Sequence, residues 1–410
     1  MTTASSLQLP VAGPLRHGQL GLSMRAAETI PLGALLLAAG AAVFVLLLRY
    51  GWLRRRSTVI GVTAAVVAGV VLLGMTVTGK DGREQAATTP GVPLVQQVEL
   101  SGKRVPVVVV PNRPGFNLVG IGEAQASAGL SPGALTAGTL RPGSSRSWVG
   151  VELPEGATTL YVSAGARNGS LEVDTGSRAG GPAAALRGAD GPECAGAAVG
   201  AVLAGRDEPL EACPADRLTA QDASALRAIV HFLAERGEPA IALVEDGSAR
   251  SRSAAAQVRA AAARKKMKVT APGRTRRPVV IVSGWTGAET VLRAVGDAAT
   301  VARGTYLAPW LLSPDLLTSS AGQVVALRYA PRDAAPNAYL AALSRRLPGE
   351  LPSAAGYEAW AAERGEEPGA LVRLFAASEV NVPGMPAHEH KGAEWLPGGM
   401  IIPVSAPLRL

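Results

Sequence analysis

Two long apolar runs without a charged side chain stand near the start of the chain. They cover residues 29–48 ("TIPLGALLLAAGAAVFVLLL") and residues 57–79 ("STVIGVTAAVVAGVVLLGMTVTG"). As a helix, each run is long enough to cross a hydrocarbon core of about 30 Å. The pattern predicts a transmembrane hairpin over 29–79, and the alternative interpretation is a signal peptide followed by a buried core helix.

The connection between the two runs, residues 49–56 ("RYGWLRRR"), contains four arginines. Cytoplasmic loops of membrane proteins carry the excess of Lys and Arg, so the pattern places this loop inside the cell. The N-terminal tail 1–28 and everything after the hairpin are then extracytoplasmic. A cleavable signal peptide carries its positive charge before the apolar run, whereas these arginines follow it. The predicted localisation is the cell membrane, with both ends outside.

Short β-type runs follow a polar linker at 80–90. Clusters of Gly, Pro, Asn and Ser separate them, and this spacing predicts an antiparallel β-sandwich of Ig-like or cupredoxin-like shape over 91–177. The next stretch, 178–192 ("RAGGPAAALRGADGP"), is rich in Gly, Ala and Pro, which predicts a second linker. The runs are "LVQQVEL" (94–100), "VPVVVV" (105–110), "FNLVGIG" (116–122), "SWVGVEL" (147–153), "TTLYVSA" (158–164) and "SLEVDTG" (170–176).

From 193 to 410 apolar strands alternate with amphipathic helices. "PAIALVED" (239–246) and "RPVVIVSGW" (277–285) are continuous apolar strands, and 217–237 is helical, with Thr219 as N-cap and Gly237 as the stop. Such alternation predicts an α/β domain with a mostly parallel sheet covered on both faces. The predicted fold class is therefore a multi-domain membrane protein: a transmembrane hairpin, a β-sandwich and an α/β domain.

Charge and motifs narrow the function classes. The net charge is +8, with 40 Lys and Arg against 32 Asp and Glu. The basic stretch 250–277 is interpreted as a solvated helix face and loop, and the predicted compartment argues against nucleic acid as a partner. No P-loop, G-x-S-x-G, H-E-x-x-H or G-x-G-x-x-G motif stands in a suitable context, so no enzyme class is indicated.

Cys194 and Cys213 are the two cysteines of the chain. In an oxidising compartment an even pair favours one disulfide, which would stabilise the fold by about 3 kcal/mol in the chain-entropy model. A reduced core pair and a two-thiolate metal site are the alternatives.

A histidine pair near the end of the chain suggests a metal site. His388 and His390 lie two residues apart in "VPGMPAHEHK" (382–391), with the soft ligand Met385 just before them. These ligands suit copper, which makes copper the candidate cofactor, and His17 could add a further ligand. The alternative is a solvated Pro/Gly loop. His231, inside "IVHFLA", is interpreted as a core residue.

Several stretches resemble known families. Residues 113–122 and 151–162 resemble uncharacterised actinobacterial membrane-anchored proteins, some of them related to copper-resistance membrane proteins. Residues 239–269, 277–295, 305–317 and 352–360 resemble the type I periplasmic substrate-binding proteins, the fold of branched-chain amino-acid receptors. Only about forty residues separate the predicted linker 178–192 from the strand at 239, so the first lobe of that fold is absent or reduced.

The resemblance implies which side chains face a ligand cleft. Capping of helices is the alternative at Ser248 and Thr286. The implied cleft residues are Asp246, Ser248, Ser283, Trp285, Thr286 and Tyr306.

Three functions follow from these predictions. The first is a membrane-anchored, non-catalytic extracytoplasmic binding protein for a small ligand or partner. The second is a copper- or other metal-dependent protein or enzyme of natural-product metabolism or copper handling. The third is a structural interaction module whose receptor-like fold has lost its ligand.

Overall fold

The computed structural model describes residues 89–319, 322–366, 368–379 and 393–408. The predicted tail 1–28, the hairpin 29–79 and nearly all of the linker 80–90 lie outside these ranges. The longest helices within them have sixteen residues, or about 24 Å, and both carry charged side chains. No helix in these ranges is long and apolar enough to cross a membrane. For the described ranges the predicted fold class, a multi-domain membrane protein with a transmembrane hairpin, is wrong: of its three parts they show the β-sandwich and the α/β layer.

Two antiparallel sheets form the β-sandwich. Within the described ranges, one sheet has the order β1-β2-β3-β7-β6 and the other β5-β4-β8-β9. The strands are β1 Leu94–Leu100, β2 Lys103–Val110, β3 Gly115–Ile121, β4 Ala126–Gly129, β5 Thr136–Ala137, β6 Thr139–Leu140, β7 Ser147–Leu153, β8 Ala157–Ala164 and β9 Arg167–Asp174.

The apolar run of β2 is buried on both of its faces. Val107 and Val109 point into the space between the two sheets, with the sandwich core. Val108 and Val110 point the other way and belong to the core of the α/β layer. Side chains alternate between the faces of a strand, so an unbroken apolar run is what a strand covered on both sides requires.

Two helices provide that outer cover, and they begin inside the predicted linker 178–192. Helix α1 spans Ala183–Arg187 and helix α2 spans Gly191–Leu203. Their Leu186 and Ala195 join Val108 in one buried cluster. The linker prediction did not anticipate these helices, because the small residues that suggested a flexible segment instead allow α2 to pack closely on both sides.

The α/β layer is built on a mixed sheet. Among the described residues its order is β11-β10-β12-β13-β14-β15-β16, with parallel pairing from β11 to β14 and antiparallel pairing beyond. The strands are β10 Ala240–Val244, β11 Lys268–Thr270, β12 Arg277–Ile281, β13 Ala302–Leu307, β14 Gln323–Leu327, β15 Arg373–Glu379 and β16 Gly399–Pro403. The helices are α3 Ala220–Glu235, α4 Ala249–Arg264, α5 Trp285–Gly296, α6 Pro314–Leu317, α7 Ala334–Arg346 and α8 Ala354–Glu363, with 3-10 turns at Pro214–Asp216 and Pro309–Leu311.

Helix α3 begins and ends where the sequence predicts. The Thr219 side chain accepts a hydrogen bond from the backbone N–H of Asp222, as an N-cap does. Gly237 has a φ of +75°, the left-handed conformation that glycine adopts most readily after a helix. Both predictions are confirmed.

Helices α2 and α8 approach each other through glycine. A Cβ atom built on Gly200 would lie 1.8 Å from the carbonyl oxygen of Gly356, and one on Gly196 would lie 2.8 Å from the Ser353 hydroxyl oxygen. The contact therefore requires the absence of side chains on this face of α2. It fixes α2 between the sandwich and the α/β layer.

Candidate functional site

The parallel part of the sheet reverses its winding between β10 and β12. The chain runs from β10 to its neighbour β11 on one side, and then crosses to β12 on the other side of β10. In open α/β sheets, ligands bind outside the carboxyl ends of the strands at such a switch point. Here residues 245–246 follow β10 and residues 282–284 follow β12, so this edge includes several of the predicted cleft residues.

Asp246 bonds to the chain itself. One carboxylate oxygen accepts from the N–H of Gly284 at 2.6 Å and the other from the N–H of Ser248 at 2.9 Å. Burial alone raises the pKa of Asp246, but these hydrogen bonds outweigh it and lower the pKa overall. Ser248 caps α4, because its hydroxyl oxygen accepts from the N–H of Ser251 at 3.1 Å. The structure therefore shows helix capping at Ser248, which was the alternative to a role in ligand contact.

The other four predicted cleft residues are dispersed. Ser283 is fully buried, and its hydroxyl has no hydrogen-bond partner among the described residues. Trp285 is buried and its indole N–H donates to the carbonyl of Pro142 in the β-sandwich at 2.8 Å. Thr286 is exposed on α5 and does not cap it. Tyr306 lies near the end of α3, and burial raises its pKa. Ligand contact by any of the six residues stays a prediction.

Four charged side chains fill the switch point, and we call them the buried ionic cluster: Arg141, Asp190, Glu193 and Arg250. An Arg250 Nη lies 2.7 Å from a Glu193 carboxylate oxygen and 3.1 Å from one of Asp190. An Arg141 Nη lies 3.9 Å from each of the same two carboxylates. Asp190 comes so close to Gly284 that a Cβ there would lie 2.6 Å from its carboxylate. The chain itself therefore occupies the expected ligand crevice.

Two tryptophans cover the guanidinium groups of this cluster. The Arg141 Cζ lies 4.7 Å from the ring centroid of Trp285, and the Arg250 Cζ lies 4.6 Å from that of Trp310. Burial raises the pKa of Glu193, although the charge of Arg250 opposes this, and burial lowers the pKa of Arg141. Removing water from ionic groups is costly, so each charge in the cluster depends on its partners.

A cavity of about 100 Å³ adjoins the cluster, and we call it the interlayer cavity. It lies between the loop that precedes β7 and the ends of β12 and β13, so it faces the carboxyl edge of the sheet. Its sandwich side includes Arg141, Ser144, Arg146 and Trp148, and its α/β side includes Trp285, Ser313, Asp315, Tyr339, Glu350 and Ser353.

Opposite charges face each other across this cavity. Arg146 forms an ion pair with Glu350. Burial lowers the pKa of Arg146 to about 10, while the charge of Asp315 opposes that shift. Burial raises the pKa of Asp315, which a hydrogen bond with Ser144 partly offsets. The Arg141 Nε has no hydrogen-bond partner among the described residues. Arginine and carboxyl side chains from both layers thus line one cavity.

Sequence patterns alone did not identify these residues. Arg141 and Arg146 lie in "RPGSSR" (141–146) of the β-sandwich, whereas Asp315 and Glu350 lie about two hundred residues later. The sequence signal that could have identified Arg141 and Arg146 is their position as a pair of arginines within a Pro/Gly/Ser loop, since loops carry many binding residues.

A second pair of carboxyl groups, Asp222 and Glu358, lies beyond Arg250. Burial raises the pKa of Glu358 to about 8, and the charge of Asp222 raises it further, while Arg328 and Arg250 oppose the shift. Burial also raises the pKa of Asp222. Near neutral pH this pair therefore holds a proton that the unfolded chain would release.

The free energy of unfolding should fall as pH rises from about 5 to about 8. Glu358 has an ordinary pKa of 4.5 and a raised pKa of about 8 in the fold, so its contribution is complete below 4.5 and lost as pH passes 8. We expect a loss of about 2 kcal/mol, less than an isolated group with this shift would give, because Asp222 shares the proton. Urea titrations of wild type and Glu358→Gln at several pH values measure it.

Carboxyl groups with a lowered pKa, such as Asp246, titrate below this pH window, so they do not contribute to the change in stability between about pH 5 and about pH 8. Glu358→Gln should reduce the pH dependence by the share of Glu358, and Glu193 and Asp315, whose pKa burial also raises, account for the slope that remains. Glu363→Gln on the same helix is the control and should keep the wild-type slope. An equal slope in wild type and Glu358→Gln would contradict the assignment.

Metal ligation gains no support from the described ranges. They contain no group of three or more His, Cys, Asp or Glu residues placed to hold a metal ion. His17, Met385, His388 and His390 lie outside those ranges, so the copper site stays a prediction. His231 is half-buried on α3, with Nδ1 3.1 Å from a Glu235 carboxylate oxygen.

The two cysteines meet in the core without forming a disulfide. Cys194 on α2 and Cys213 are buried free thiols in the structure. A hydrogen bond with Cys213, together with burial, raises the pKa of the Cys194 thiol. Of the two alternatives weighed against the disulfide, a reduced core pair matches this arrangement.

No family model and no curated protein matches the sequence. Several solved structures match part of it. An ABC transporter substrate-binding protein from Desulfitobacterium hafniense is 14% identical, with 34% of this chain and 47% of that chain covered and a TM-score of 0.27. A branched-chain amino acid ABC transporter periplasmic ligand-binding protein from Burkholderia xenovorans is 12% identical, with 45% and 63% covered and a TM-score of 0.32.

A branched-chain amino acid ABC transporter protein from Thermus thermophilus, solved with bound valine, is 14% identical, with 47% and 66% covered and a TM-score of 0.30. These neighbours are periplasmic ligand-binding proteins. They belong to the class that the sequence resembles, and the chain spans about half the length of the first of them. At these TM-scores the structural similarity covers only part of each fold, so it does not indicate a ligand for this chain.

Proposed function

We propose that the protein is a non-catalytic binding protein for a small polar ligand held in the interlayer cavity. The observation that carries this proposal is the convergence of Arg141 and Arg146 from the β-sandwich with Asp315 and Glu350 from the α/β layer around one cavity. The cavity faces the carboxyl edge of the parallel strands, the edge at which α/β sheets bind ligands. A few convergent polar groups in a concave site are typical of ligand pockets.

The size of the cavity limits the ligand. A protein cavity of about 150 Å³ can hold benzene, so one of about 100 Å³ suits a ligand of about half a dozen heavy atoms or fewer. Both charge signs line the walls, with Arg141 and Arg146 opposite Asp315 and Glu350. A small carboxylic acid or amino acid suits this combination, because its carboxylate can pair with a guanidinium group.

The lining favours binding over catalysis. The cavity contains serine hydroxyls, but no histidine or cysteine is among the described residues that line it.

A panel of small acids and amino acids tests the proposal by thermal unfolding and calorimetry. One member should stabilise the protein, by about 2.7 kcal/mol when its concentration is a hundred times Kd. Arg146→Gln should abolish the heat of binding, whereas Arg104→Gln, an exposed arginine of the same sandwich, should preserve it. If no compound shifts the unfolding curve, or if both variants bind equally, the proposal fails.

A second candidate function is a structural interaction module. The observation in its favour is the buried ionic cluster, which fills the switch point with the chain's own side chains. The panel separates the two candidates, because an interaction module would show no stabilisation by any small compound.

A further inference from the structure

A strongly basic stretch of the chain follows β10. Residues 247–288 contain ten Lys or Arg and no Asp or Glu. Helix α4 starts after the carboxyl end of β10 and ends before the start of β11, so its last turn lies at the amino edge of the sheet. Several of these cations gather there, at the edge opposite the cavity.

A pocket of about 260 Å³ opens between α3 and α4 within this basic region. Each helix contributes residues at positions i, i+3 and i+4, which share one helix face. From α3 these are Arg227, Val230 and His231, and from α4 they are Ala261, Arg264 and Lys265. Val230 and Ala261 form a buried apolar floor, and the four other side chains carry or can carry positive charge.

Most donors of these side chains are uncommitted among the described residues. One Arg227 Nη donates to the Gln257 side-chain oxygen at 3.2 Å, which leaves its other N–H groups available. The carboxylate nearest His231 is that of Glu235, which pairs with Nδ1 and not with Nε2. Arg264 and Lys265 are exposed and make no ion pair with a described residue.

The helix dipole explains only part of this arrangement. Cations in the last turn of α4 interact favourably with its carbonyl end, which accounts for Arg264 and Lys265. It gives no reason for Arg227 and His231 in the middle of α3 to face the same pocket. Three cationic side chains and a histidine around one concavity, with no carboxylate among the described residues that line it, form a site for a compact anion.

We propose that this pocket binds a phosphate group, either free or as the headgroup of a phospholipid. A phosphate carries several acceptor oxygens on one small centre, and the guanidinium fork of arginine pairs with it in two parallel hydrogen bonds. The pocket is large enough for a phosphomonoester, and Arg227 and Arg264 line it from two helices. This site is independent of the interlayer cavity and of the function proposed for it.

The test uses the purified full chain with two probes. Inorganic phosphate is titrated by calorimetry, and vesicles with phosphatidic acid are compared with phosphatidylcholine vesicles by co-sedimentation. Arg264→Gln/Lys265→Gln should weaken binding of at least one probe by about tenfold or more, since charge-assisted hydrogen bonds are lost. The control Lys266→Gln/Lys268→Gln removes the same charge outside the pocket and should change binding less than about twofold.

A loss confined to phosphate identifies a free phosphate ligand, and a loss confined to phosphatidic acid vesicles identifies a lipid headgroup; either result supports the site. Arg227→Gln provides a second variant from the other helix and should weaken the same probe. The proposal is overturned if neither probe binds, or if the control pair weakens binding as much as the pocket pair.

Discussion

Replacing Arg250 by alanine is expected to lower the free energy of unfolding by about 3–5 kcal/mol. Arg250 is 4% exposed and pairs with Asp190 and Glu193, so its loss leaves the buried Glu193 and the half-buried Asp190 beside only the more distant Arg141. The stacking on Trp310 is lost as well. Urea unfolding followed by circular dichroism measures the change at neutral pH.

Arg252→Ala is the matched control for this prediction. It lies on the same helix two residues further on and is exposed, and among the described residues its side chain donates only to the carbonyl of Gly247. We expect it to change stability by less than about 0.5 kcal/mol. In a double-mutant cycle, Arg250→Ala with Glu193→Ala should cost less than the sum of the two single changes. Similar stability losses for Arg250→Ala and Arg252→Ala would show that the cluster does not hold the layers together.

Gly200→Ala should destabilise the protein by about 3 kcal/mol, a large effect for one methyl group. The new Cβ would lie 1.8 Å from the carbonyl oxygen of Gly356, a backbone atom that moves only if α8 moves. Overpacking of a close contact usually costs about 1–3 kcal/mol, and a clash with backbone belongs at the upper end. Because alanine otherwise favours a helix, intrinsic propensity alone predicts the opposite sign.

Gly133→Ala serves as the control, because a Cβ there meets nothing within 4 Å. Its stability should change by less than about 0.5 kcal/mol. Thermal and chemical unfolding of both variants measure these changes in stability. A Gly200→Ala protein as stable as wild type would mean that α2 and α8 are further apart than the structure places them.

Local sequence patterns were sufficient to predict the positions of many individual strands and helices. The period-two run of β7 and the continuous run of β10 give strands at the predicted positions, and Thr219 and Gly237 mark the ends of α3. These signals depend on neighbouring residues alone. The outer valines of β2 also required a cover, but the sequence did not show that α1 and α2 supply it, because Ala and Gly are equally common in linkers and in tightly packed helices.

The candidate site was predictable only where it lies at strand ends. Asp246 and Trp285 follow apolar strands, so their place at the carboxyl edge of the sheet could be inferred. That Asp246 is satisfied by Gly284 and Ser248 depends on how two loops meet, which no local pattern records. Arg141 and Arg146 reach this edge from the β-sandwich, and only the tertiary fold brings them to Asp190 and Glu350.

The carbonyl of Pro142, which accepts the indole N–H of Trp285, has a consequence for the ancestry of this protein. Through that bond and the neighbouring Arg141 and Arg146, the β-sandwich and the α/β layer each supply part of one site. Through the outer valines of β2, which pack under α2, the two also share one buried core. Recombination that exchanged either of them for a foreign one would expose apolar surface and leave charges without partners. Sandwich and α/β layer are thus constrained to be inherited together, and compensating substitutions are expected to appear in pairs across their boundary.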